Sequence, residues 1–378
     1  MRLGVNTLFL IPGAVGGSET YLRETLRALA EVRPDWEIVL FTNDENEPVF
    51  ASPASPVPLA ARRPLGFRAS WRPRRIVREQ FQLPRAARAA TIDVLWSPGY
   101  TAPLRALCPQ AVTIHDTQYR RYPEDLSLSH RLATDALVRG ACRAASRILA
   151  VSEFTRREIE ALAPAAAPKI VVTPEAASPA FARPPDPARA AAMRARLGFD
   201  GPYILCVAHT YPHKNVATLV RAFALVADAV PHRLVLVGHP RRGEPEVRRA
   251  RDELARPDRV TRLAGLEADD LSALYHGAAV FAFPSLYEGF GLPVLEALSA
   301  GAPVLAARRG AVPEVGGEAV DYVDPPTPEG FADGLRRLAA ETPDRRAARA
   351  ARGRARAARF TWRATAEATA RAIESAAR

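Results

Sequence analysis

The chain contains almost no lysine. Lys169 and Lys214 stand alone among 52 cationic side chains, the rest being arginine. Cysteine is nearly as scarce. Cys108, Cys142 and Cys206 are odd in number, widely spaced and without metal-ligand spacing. They exclude a disulfide framework and point to a reducing, cytoplasmic setting. No apolar run approaches the roughly 20 residues that cross a bilayer. The apolar start around Leu3, Gly4 and Val5 is broken by Asn6, Thr7, Pro12 and Gly13, with no small-x-small cleavage site. It reads as a first buried strand entering a glycine loop and not as a leader. A hydrophobic content of 48% excludes a disordered chain.

What is abundant is arginine. The formal net charge is +11. Such a surplus attracts anionic partners, although an arginine-biased but ordinary surface gives the same count. The bias is densest in residues 62–88, where nine arginines meet one acid, Glu79. Trp71, Ile76, Val77, Phe81 and Leu83 are interleaved. One reading is an amphipathic surface for anionic membrane headgroups or a lipid-linked acceptor. The other is a solvated helical face whose apolar side packs on its own domain. No nucleic-acid motif accompanies the charge, so no nucleic-acid partner is expected.

A length of 378 residues suits two domains. Short apolar runs alternate with helical stretches: Leu3–Leu10, Glu37–Phe41, Val94–Trp96, Ala111–His115, Ile148–Val151 and Ile170–Val172. Prolines crowd residues 174–187, and a second series then begins at Tyr203–Val207. It continues through Leu234–Gly238, Val280–Phe283 and Pro303–Ala306. The pattern predicts an α/β protein with two Rossmann-like parallel sheets. The expected divisions are a first domain over 1–175, a linker over 176–200, a second domain over 201–358 and a final helix over 359–378.

The densest cluster of chemistry-bearing residues is Pro284-Ser285-Leu286-Tyr287-Glu288-Gly289-Phe290-Gly291-Leu292-Pro293-Val294-Leu295-Glu296. Pro293 suits the first turn of a helix and Gly301 its end. Gly289, Phe290, Gly291 and Leu292 then lie at a helix N-terminus, which suits a diphosphate. Glu288 in the loop and Glu296 one turn into the helix can bracket a sugar nucleotide. The bland reading of Glu296 is an acid favoured near the helix dipole. Lys214 follows the strand that opens the second domain and can pair with phosphates. His115 ends a strand where α/β ligand clefts form, and can donate to a substrate hydroxyl.

These residues resemble family 4 glycosyltransferases. Glu288 and Glu296 match the family's Glu-x7-Glu element within a Pro-Ser-x-x-Glu-Gly-Phe-Gly-Leu-Pro context. Gly16-Gly17-Ser18-Glu19 is similar to its N-terminal glycine loop, and His115-Asp116 to its cleft histidine motif. Val151-Ser152-Glu153-Phe154-Thr155, Pro313-Glu314-Val315 and Phe360-Thr361-Trp362 match further segments. The resemblance implies a GT-B fold with a cleft between its domains, and a last helix returning to the first domain. It implies retaining transfer without a metal or other cofactor, from a nucleotide-diphosphate sugar to a glycan or lipid-linked acceptor. His115 and Glu288 would then serve the transferred sugar. Gly16, Gly17, His209, Lys214, Gly289, Phe290, Gly291, Leu292 and Glu296 would bind the donor. His209 stands near where relatives carry an arginine, so a neutral side chain there weakens the phosphate clamp. The Pro212-His213-Lys214-Asn215 loop leans toward mannose from GDP-mannose, with UDP-sugars as rivals. The resemblance implies a cytoplasmic enzyme, peripheral on the inner membrane face if residues 62–88 bind lipid. A non-catalytic sugar-nucleotide or anionic-lipid binding protein and a sugar-nucleotide epimerase are the alternatives.

Overall fold

Short apolar runs become the inner strands here because both their faces are covered, the condition that parallel sheets impose. The computed structural model describes residues 1–52, 55–57 and 60–378. It divides into two units, Met1–Glu175 with Thr361–Arg378, and Ala176–Phe360.

The first unit holds a seven-stranded parallel sheet: β1 (Arg2–Asn6), β2 (Glu37–Thr42), β3 (Ala61–Pro64), β4 (Val94–Ser97), β5 (Gln110–Ile114), β6 (Arg147–Ala150) and β7 (Ile170–Val172). Their spatial order is β3-β2-β1-β4-β5-β6-β7. The order reverses between β1 and β4, and ligands of such sheets bind beyond the carboxyl ends of strands at that point. Trp96 is fully buried on β4, and its indole N–H donates to Thr113 Oγ1 at 3.0 Å. The apolar run expected over Leu3–Leu10 pairs as a strand only to Asn6, because the chain then turns, with Leu10 N donating to Thr7 O. The last helix, Trp362–Ala377, belongs to this unit and packs along the helix Gly17–Val32. Thr361 caps it, and Thr365 Oγ1 donates to Pro174 O at 2.6 Å.

Residues 62–88 are not one helical face. They begin in edge strand β3 and continue as a helix, Arg72–Val77, a π-helical turn, Arg78–Gln82, and a second helix, Leu83–Ala89. The π-turn carries Glu79 inside, where it accepts from Asn6 Nδ2 at 2.8 Å and Thr101 Oγ1 at 2.9 Å. Burial raises its carboxyl above the ordinary value. The segment's acid is thus spent internally. Trp71, Val77 and Phe81 remain 61%, 55% and 62% exposed among arginines.

The second unit repeats the arrangement with β8 (Tyr203–Val207), β9 (Arg233–Val237), β10 (Val260–Leu263), β11 (Val280–Phe283), β12 (Val304–Ala307) and β13 (Val320–Val323). The order is β10-β9-β8-β11-β12-β13, reversing between β8 and β11. The stretch expected as a linker, 176–200, is instead part of this unit. Asp186 caps a helix, Pro187–Leu197, that packs on the helix Ala268–Gly277. Arg189 on that helix pairs with Glu267, Asp269 and Asp270. Proline crowding marked a chain turn here and not a loose tether, since Pro187 starts the helix.

Among the described residues, no helix is long and apolar enough to cross a membrane.

Candidate active site

In the second unit the two loops that leave the reversal point, after β8 and after β11, lie against each other. Leu286 N donates to His213 O at 2.8 Å. Across this seam Lys214 Nζ donates to Glu288 Oε1 at 2.6 Å, with both side chains largely shielded. Lys214 is therefore not a solvated cation, and the two residues singled out in sequence form one ion pair.

The helix Leu292–Ala300 follows, with Pro293 in its first turn. Gly291 caps its start at φ 102° and Gly301 its end at φ 83°. Both dihedrals lie where a side chain is strained. Phe290 and Leu292 are buried, and Phe290 packs edge-on against Phe360 at 5.8 Å. Their side chains therefore hold the loop in place, and what this stretch offers a ligand is backbone. Glu296 lies one turn inside, and its Oε2 accepts from Tyr275 O–H at 2.9 Å. Burial and then the Glu296 carboxylate raise the Tyr275 phenol well above its ordinary value, so it remains a donor.

Two supports escaped the sequence reading. Gly310, at φ 60°, lies so close to the loop that a Cβ would stand 2.6 Å from Glu288 O. Ala311 N donates to that same oxygen at 2.9 Å. The other support is the turn after β9. Its Arg241 N donates to Thr210 Oγ1 at 2.7 Å, and Gly243 N donates to Thr210 O at 2.7 Å. Gly310 shortly before Pro313-Glu314-Val315 was the available signal for the first; Arg241 had none.

His209 sits in the loop after β8. Its Nδ1 accepts from the backbone N–H of His239 at 3.0 Å. Burial, followed by the charges of Arg241, His239 and Lys214, lowers its pKa to about 4. His209 is neutral at neutral pH.

In the first unit, Gly16 and Gly17 open the helix Gly17–Val32, with Gly16 at φ 58°. The glycine is required by that dihedral, since nothing lies within 4 Å of where a Cβ would be. Glu19 turns back to accept from Gly13 N at 2.7 Å, closing the loop on itself.

His115 follows β5 directly and is buried. It does not present an open ring nitrogen. Nδ1 faces Glu175 Oε1 at 3.1 Å, and Nε2 faces the carbonyl of Pro98 at 2.8 Å. Tyr21 lies edge-on to the ring and Tyr100 tilts against it. The Ser152 side chain caps the helix Glu153–Leu162, and Thr155 Oγ1 of that helix donates to His115 O at 3.0 Å. Glu175 was passed over in sequence because it stands next to Pro174, at the end of the first domain, where the proline-rich stretch begins.

Residues 15–181 match the family described as Glycosyltransferase Family 4, and residues 201–341 match Glycosyl transferases group 1. Over 253 residues the chain is 32% identical to O-antigen chain mannosyltransferase B of Escherichia coli, covering 66% of each. Over 248 residues it is 38% identical to D-inositol 3-phosphate glycosyltransferase of Kineococcus radiotolerans, covering 60% of this chain and 56% of that one. The chain thus spans 56% to 66% of the length of these curated relatives. Among solved structures, sucrose-phosphate synthase from Thermosynechococcus elongatus superposes with a TM-score of 0.77 at 22% identity over 98% of both chains. HepE from Anabaena, solved with UDP, gives 0.74 at 20% identity over 99% of both. Two parallel sheets of matching order, the glutamate pair on its glycine loop and these sequence matches lead to one assignment: the chain belongs to glycosyltransferase family 4 and has the GT-B fold.

Proposed function

We propose that this chain transfers a hexose from a nucleoside-diphosphate sugar to a glycan or lipid-linked acceptor, with retention at the anomeric carbon. The observation that carries the reading is the Lys214–Glu288 pair bridging two strand-end loops beside the start of the helix Leu292–Ala300. Donor phosphate takes over the Lys214 ammonium, and Glu288 is released toward the sugar. Glu296, oriented by Tyr275, accepts from the ribose hydroxyls. The bond from the anomeric carbon to phosphate oxygen breaks as the acceptor oxygen bonds to the same face. The acceptor proton passes to the departing diphosphate. Lys214 and the helix start stabilise that departing charge, the largest task the protein has in such a step. No metal or other cofactor is required in this scheme.

GDP-mannose is the proposed donor. The name of the E. coli relative supports mannose, as does that of a GDP-mannose-dependent phosphatidylinositol monomannoside mannosyltransferase of Mycolicibacterium smegmatis, 31% identical over 247 residues. The exposed Trp71, Val77 and Phe81, set among arginines, support a cytoplasmic protein resting on an anionic inner membrane face, where a lipid-linked acceptor resides. A panel of radiolabelled GDP-, UDP- and ADP-sugars, run with and without EDTA, tests the scheme. Transfer from GDP-mannose that is insensitive to EDTA and gives an α-linked product is expected. Inversion, or binding without transfer of any sugar, would overturn it. Sedimentation with phosphatidylglycerol vesicles but not phosphatidylcholine vesicles tests the surface.

A further inference from the structure

The residue His115 is flanked on both ring nitrogens by oxygen. A carbonyl cannot donate, so Nε2 must carry a hydrogen to meet Pro98 O at 2.8 Å. A carboxylate at Glu175 cannot donate either, and then Nδ1 also carries a hydrogen to meet Oε1 at 3.1 Å. Both side chains are buried, at 8% and 5% exposure, so water does not supply alternative partners. We propose that Glu175 is a positioning residue that holds His115 as an imidazolium, fixing a hydrogen on Nε2 as a donor.

The groups facing the ring agree. Asp116 follows it in sequence and accepts from Tyr100 O–H at 3.1 Å. Two further titratable neighbours, Tyr21 and Tyr100, pack against the ring, and burial holds both phenols uncharged. Burial alone would discharge His115. The hydrogen bond and charge of Glu175, the Pro98 carbonyl and Asp116 outweigh it, leaving the imidazole above its ordinary value. In the sugar-transfer reading, on which the catalytic consequence rests, a sugar hydroxyl replaces Pro98 O as acceptor. Glu175 then keeps the donating hydrogen in place.

The test uses the full chain with 15N-labelled histidine rings, His115→Gln identifying the resonance. Both His115 nitrogens should be protonated at pH 7 in the parent protein. In Glu175→Gln the midpoint should fall by at least one pH unit while the other six histidines stay put. A neutral His115 in the parent at pH 7 overturns the proposal without any variant, as does an unmoved midpoint in Glu175→Gln. With an active donor, the alkaline limb of kcat should move down by the same amount, about tenfold in rate above both midpoints, with donor KM little changed. Should no donor be turned over, the sugar-transfer reading fails, and the resonance alone decides the role of Glu175.

Discussion

Each unit places a histidine beyond the carboxyl end of a strand, His115 after β5 and His209 after β8, and the two have opposite electrostatics. His115 has an oxygen on either side and keeps its proton. His209 accepts a backbone N–H, lies among Arg241, His239 and Lys214, and is discharged down to about pH 4. Burial lowers the pKa of both. What separates them is the sign of what stands beside the ring, and the deciding neighbours, Glu175 for His115 and Arg241 and His239 for His209, come from distant segments. The lesson is that a strand-end histidine in such a sheet has no charge of its own to infer from sequence.

The largest effect expected from this contrast concerns Lys214. With His209 neutral, positive charge in the loop after β8 rests on the lysine. Lys214→Ala should lower turnover by about a hundredfold to a thousandfold, whereas His209→Ala should cost less than about threefold in nucleotide affinity, as an uncharged group would. Single-turnover transfer and calorimetry on both variants measure this. Equal losses would mean that His209 carries charge in the complex.

The carboxylates sharpen the contrast next, because Glu288 plays toward Lys214 the part that Glu175 plays toward His115. Glu288→Gln should depress turnover by about tenfold to a hundredfold while leaving GDP binding nearly intact. Glu296→Gln should chiefly weaken GDP binding, since a ribose contact serves ground and transition states alike. The reverse pattern would exchange the sugar and ribose ends of the segment.

A smaller effect follows from supplying the missing charge. His209→Arg should tighten GDP binding by up to about fivefold, the value of one partly exposed ion pair. The gain should shrink as salt is raised.

The smallest effect is thermal. His115 binds its proton more tightly folded than unfolded, so its stabilisation is complete below its ordinary value of 6.5 and fades as pH rises through the folded value. His209 behaves oppositely: its stabilisation is complete above 6.5 and is lost as pH falls toward about 4. His209→Gln should therefore raise the melting temperature near pH 4.5 relative to pH 7, by up to about 2 °C. Scanning calorimetry at the two pH values reads the difference.

Inner strands were legible, and among the edge strands only β7 was. Ile38–Phe41, Val280–Phe283 and their like are continuous apolar runs because both faces are covered. The edge strands β3, β10 and β13 escaped because one side of each meets solvent, and their sequences Ala61–Pro64, Val260–Leu263 and Val320–Val323 mix charge with hydrophobicity. Gly291, Pro293 and Gly301 announced a helix by local dihedral demands alone. Glu79 looked like the lone acid of a basic surface until a π-turn carried it inward to Asn6 and Thr101.

The sequence by itself determined what depends on neighbours along the chain. That includes two series of parallel strands, the glycine loop before a helix, and the spacing of Glu288 and Glu296. Tertiary structure decided what depends on neighbours across it. It joined Lys214 to Glu288 and Tyr275 to Glu296, tied both nitrogens of His115, and drew Pro187–Leu197 into the second unit. The physical reason is range. Backbone dihedrals and hydrophobic period are set within a few residues. A proton's affinity or an ion pair's partner is set by charges a few ångströms away in space, which here lie 60 to 74 residues away in sequence.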